Sequence, residues 1–96
     1  MIVHIVMLKF KEENKEANLT KIKSLLEELP EKIEPLLSME VGLDFMHSER
    51  SFDLVLTTCF DTKEGLVVYA THPAHLDVVK VIKEVTEGAK VVDYVK

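Results

Sequence analysis

Residues 2–10, Ile-Val-His-Ile-Val-Met-Leu-Lys-Phe, form an almost unbroken apolar run rich in β-branched side chains. A run this short and this β-branched reads as a strand covered on both faces, which places it inside a sheet and not at an edge. Ile2, His4, Val6, Leu8 and Phe10 then share one face, and Val3, Ile5 and Met7 share the other. The rest of the chain must cover both. Its 96 residues suffice for a single domain spanning 1–96. The hydrophobic fraction of 47% supplies a core. A domain this small leaves much of its surface in water, which favours a dimer that buries more.

The hydrophobic period then switches along the chain. Leu19, Ile22, Leu25, Leu26 and Leu29 make a helical stripe, predicting a helix over 15–29 that Pro30 ends. Ile33, Leu36 and Leu37, interrupted by Pro35, suggest a short helical turn or a packed loop. Apolar residues at 39, 41, 43 and 45 alternate, predicting a half-buried strand over 39–47. The polar turn Ser48–Ser51 leads to a strand over 52–60, so this pair is an antiparallel hairpin. Asp61 or Thr62 caps a helix over 62–70 with Glu64 in its first turn. Pro73 suits a first helical position and opens a helix over 73–86, for which Gly88 is the expected stop. Residues 89–95 form the last strand.

The order β-α-β-β-α-β predicts an α+β, ferredoxin-like subunit: a four-stranded antiparallel sheet with helices on one face. The other face would expose Val3, Ile5, Met7, Val55 and Cys59. A bare apolar face of that size is not normally left in water. Two subunits packing these faces together would form a homodimer with a closed, dimeric α+β barrel-like core.

Charge and composition remove several functions. Lysine and arginine number 12 against 17 acidic residues, a net charge of −5. An acidic chain without a basic cluster argues against nucleic acid or an anionic membrane as partner. No apolar run is long enough to span a membrane. The first residues lack the basic flank and cleavage site of a signal peptide. The single cysteine, Cys59, cannot form an internal disulfide, and a cytoplasmic location is expected. No nearby cation or helix N-terminus activates its thiol, so Cys59 reads as inert.

The chemistry concentrates in Tyr69-Ala-Thr-His72-Pro73-Ala-His75. A residue before proline is pushed out of the α region, so His72 must lie on a bend between two helices. Tyr69 shares a helix face with Leu66, and His75 shares one with Val78, Val79 and Ile82. Both polar rings therefore point toward the apolar interior. An imidazole titrates near neutral pH and serves as a general base. A phenol can donate to a developing enolate oxygen. The bland alternative is that the two rings bond each other or a backbone carbonyl and complete the core. His4 lies on the strand face of Val6 and Leu8, as a pocket wall or a hydrogen-bonded core residue. His72 orders the bend through a capping bond, and His47 belongs to a solvated turn. His72 and His75 straddle a helix start, so they lack the spacing of a helical zinc pair, and no metal is expected. There is no glycine-rich phosphate loop.

These motifs carry a resemblance. The opening His4-Ile-Val-Met-Leu-Lys-Phe-Lys, the segment Phe60-Asp-Thr-Lys-Glu-Gly-Leu66 and Tyr69-Ala-Thr-His-Pro-Ala-His75 resemble the stress-responsive A/B barrel (Dabb) family, within the dimeric α+β barrel group. The resemblance spans essentially the whole chain. It implies a ferredoxin-like subunit, a homodimer, and a small-molecule pocket between helices and sheet. Relatives include a plant polyketide cyclase that closes a ring by aldol chemistry without metal or organic cofactor. By that likeness His75 and Tyr69 are the catalytic pair and His4 lines the pocket. His72 is taken as a further substrate-binding residue. Where the cyclase has a helix-one tyrosine and a strand-three histidine, this chain aligns Ile22 and Leu54, which argues against the same substrate. Two functions follow: cofactor-independent proton transfer on a small carbonyl compound, or a non-catalytic homodimer that binds a ligand or acts structurally in stress.

Overall fold

β1 covers Ile2–Phe10, the bounds its apolar run dictates, and it lies between β3 (Leu54–Phe60) and β4 (Thr86–Val95). This computed structural model describes residues 1–96. β2 (Ser38–Leu43) completes a sheet of order β2-β3-β1-β4, antiparallel at every pairing. The helices are α1 (Lys15–Glu27), the single turn α2 (Leu29–Lys32), α3 (Lys63–Thr71) and α4 (Pro73–Val85). The α+β, ferredoxin-like arrangement is thus as the period switches dictate. No helix is long and apolar enough to cross a membrane.

The core sits between the even-numbered face of β1 and the helices. Ile2, Leu8 and Phe10 join Leu56 and Phe60 of β3, Ile22 and Leu26 of α1, Tyr69 of α3 and Val78 of α4. The opposite sheet face stays apolar and open at Met7 and Val55, which pair across β1 and β3. β4 extends that face with exposed Val92 and Tyr94, the partners of Ile5 and Val3. Val3 itself departs from expectation. It is only 3% exposed in the single chain, flanked in register by Cys59 and Tyr94.

Other departures lie at element ends. β2 stops at Leu43 instead of 47, because the Asp44 carboxylate accepts the His47 N–H at 2.8 Å and closes a turn. His47 takes a left-handed φ of 53° there, and Phe45, which continued the alternation, is 86% exposed. β3 starts at Leu54 because Asp53 turns inward, accepting the Phe10 N–H at 2.7 Å beside the Lys15 ammonium. The first helix ends at Glu27, and Pro30 opens the turn α2 instead of ending α1. Of the two candidate caps for α3, Thr62 is used; its Oγ1 accepts from the Gly65 N–H. α4 passes straight into β4. Thr86 is the C-cap, its Oγ1 donating to the Ile82 carbonyl at 2.9 Å. Gly88, expected as the helix stop, pairs with Lys9 inside β4, next to a register irregularity.

Candidate functional site

Pro73 sets the geometry. It holds His72 extended, at φ −66° and ψ 135°, so α3 ends and α4 begins on that one residue. The His72 Nδ1 accepts the Ala74 N–H at 3.0 Å, a side-chain cap on α4. The His72 N–H donates to the Tyr69 carbonyl at 3.2 Å. The bend brings Tyr69, on α3, against His75 in the first turn of α4, with ring centroids 4.3 Å apart. Phe60 packs against the phenol ring at 5.3 Å, and His4 approaches it edge-on at 6.3 Å.

Each ring has a distinct hydrogen-bonding state. The His75 Nδ1–H donates to the Ala70 carbonyl at 3.0 Å, which leaves Nε2 as the basic atom of the ring. Burial holds the His75 pKa below the usual 6.5; the Ala70 bond works against this, and His4 and His72 add to it. At neutral pH the imidazole is therefore uncharged. Tyr69 is 1% exposed and its hydroxyl has no hydrogen-bond partner in the protein. Burial pushes that phenol up to about 12, so it remains a donor. The two rings touch without bonding each other. His4 donates from Nδ1 to the Asp93 carboxylate, its direct partner across the β1–β4 register. Thr58 Oγ1 donates to the His4 carbonyl at 3.1 Å and anchors the strand beneath.

His4, Tyr69 and His75 open onto one cavity of about 290 Å³. Its apolar wall includes Val6, Leu56, Val79, Ile82 and Val91, and Lys83 and Thr86 also line it. The structure thus brings together three of the four sequence-derived site residues. His72 does not line this cavity; it touches the site only through the bend it caps. Ile22 and Leu54 are 0% and 2% exposed core residues, and neither reaches the cavity. Cys59 is half-buried on the sheet face away from it, and His47 is exposed. No three histidine, cysteine or carboxylate side chains converge as metal ligands would.

Two polar residues here escaped the sequence reading. Asp93 sits on β4 among Val91 and Val95, where an alternating strand puts an acid on the inward side. Lys83 lies eight residues beyond His75, close to the same helical face.

The sequence matches the stress-responsive A/B barrel domain, Dabb, over residues 2–96. The chain belongs to this family. No match is found among curated proteins. A Bacteroides fragilis protein of unknown function, dimeric and ferredoxin-like, is 33% identical, with a TM-score of 0.87 over 97% of this chain and 93% of its own. A Dabb family protein from Mesorhizobium loti is 18% identical, with a TM-score of 0.83 over 99% of this chain and 95% of its own. A hydroxynitrile lyase from Passiflora edulis is 16% identical, with a TM-score of 0.85 over 97% of this chain and 90% of its own. The last two likenesses are of fold alone.

Proposed function

We propose that this Dabb protein binds a small carbonyl compound in the cavity beside His75 and moves a proton on the carbon next to the carbonyl. His75 is the proton acceptor at Nε2, and Tyr69 donates to the developing enolate oxygen. His4, held by Asp93, is part of the substrate-binding wall, and His72 positions the pair by capping α4. This chemistry requires no roles beyond a base and an oxyanion donor. The observation that carries the reading is the Tyr69 hydroxyl: buried, unpartnered and bordering an apolar cavity. Leaving a buried donor unmade is costly unless something else accepts from it. The protein works as a homodimer through the apolar sheet face, as its dimeric Bacteroides fragilis relative suggests.

A second reading, binding without chemistry, draws on the Ala70 bond, which also anchors His75 structurally. The binding step shared by both is tested by titrating ¹⁵N-labelled protein with acetophenone. Shifts should gather at Tyr69, His75 and Val79, and Tyr69→Phe should weaken binding roughly three- to tenfold, the effect of one neutral hydrogen bond. A titration that leaves those resonances unmoved would rule out the cavity as a ligand site.

A further inference from the structure

We infer that Lys83 makes this cavity selective for an acid: a molecule with an apolar body, a carbonyl at the Tyr69–His75 end and a carboxylate at the other. The inference rests on the reading of the cavity as a ligand site and narrows its substrate class.

Lys83 lines the cavity and is exposed; a lysine so placed lays its stem along apolar surface and keeps its ammonium in water, at the cavity mouth. It takes part in none of the chain's ion pairs. It also donates no hydrogen bond to Asp93, whose carboxylate is engaged by His4. Asp93 borders the adjoining cavity with Ile2, Leu66 and Val67, not this one, so no carboxylate on the lining opposes an incoming anion. Eight residues separate His75 from Lys83, about 12 Å of helix axis. Helical side chains lean toward the N-terminus, which favours a Lys83 stem directed toward the His75 end of the wall. The wall between is formed by Val79, Ile82 and Val91, which suit the body of such a ligand. The net charge of −5 repels anions from the molecule as a whole. Any preference for an acid must therefore arise locally.

Benzoylpropionate and its primary amide, neutral and nearly the same shape, are the matched probes. With labelled protein at low salt, the acid should bind roughly fivefold more tightly than the amide, the upper range for a partly exposed ion pair. Added salt should shrink that preference. Lys83→Gln should bind the two equally and Lys83→Glu should favour the amide. Lys80→Gln, which removes a charge from the same helix outside the cavity, should keep the wild-type preference. Equal binding of both probes by the wild type, or a preference that survives Lys83→Gln, would overturn the assignment while leaving the cavity a ligand site. Failure of both probes to shift the Tyr69 and His75 resonances would overturn the cavity reading and this inference with it.

Discussion

At the scale of single residues, the Tyr69 hydroxyl carries the most information. A donor buried without a partner destabilises the free protein, and its removal should relieve that cost. Tyr69→Phe should therefore raise stability by about 1–2 kcal/mol in chemical denaturation, even as ligand affinity falls. A Phe variant less stable than wild type would mean that the hydroxyl is already satisfied, and the case for its role would fail. Both rings were legible in the sequence, because Tyr69 and His75 fall on the apolar sides of their own helices. Their hydrogen-bonding states were not. That His75 spends Nδ1 on Ala70 while Tyr69 spends nothing depends on how the bend closes. Asp93 was hidden for a similar reason: an acid on a terminal strand looks solvated until the β1–β4 register sets it opposite His4.

At the scale of elements, the site exists because α3 and α4 meet on one residue. His72 serves both helices, ending one and capping the other through Nδ1. His72→Ala should cost about 1 kcal/mol of stability, the usual worth of a helix cap, and His72→Asn should recover most of it. Thermal melts check both changes, and acetophenone affinity shows whether His72 acts only through the bend. If the Asn variant folds as well as wild type but binds more weakly, His72 contacts the ligand directly. Element order and type could be read from periodicity, and β1 to the residue, because its apolar run starts at Ile2 and gives way to a polar turn after Phe10. Ends set by side chains could not. Asp44 folds back onto the His47 N–H, and Asp53 turns inward to Phe10, each shortening a strand whose alternation ran on. Thr86 replaces a glycine stop because α4 continues directly into an extended strand, where a left-handed cap has no place.

For the whole molecule, the sheet face away from the helices presents Met7, Val55, Val92 and Tyr94 to solvent. Ile5 lies in their midst, paired with Val92. Ile5→Asp would put a charge into a face that a dimer desolvates. The variant should sediment as a monomer or unfold, whereas the wild type should be dimeric at micromolar concentration. A monomeric wild type would remove the dimer from the account. The homodimer and its barrel-like core were suggested by the sequence because the odd residues of β1 are apolar; the share taken by β4 was not, since its register decides it. The cavity, in contrast, forms within one subunit. Its chemistry is tested most directly by deuterium wash-in from D₂O at the methyl group of acetophenone, followed by ¹H NMR against pH. In the proposed reaction neutral His75 is the base, and burial keeps its pKa below 6.5. The wild-type rate should therefore rise with pH below 6.5 and level off at neutrality, with Tyr69 still a donor because its own pKa is about 12. His75→Ala should show only the solvent background. Wash-in that persists in His75→Ala, or a wild type that binds acetophenone without exchanging its protons, would contradict the catalytic account.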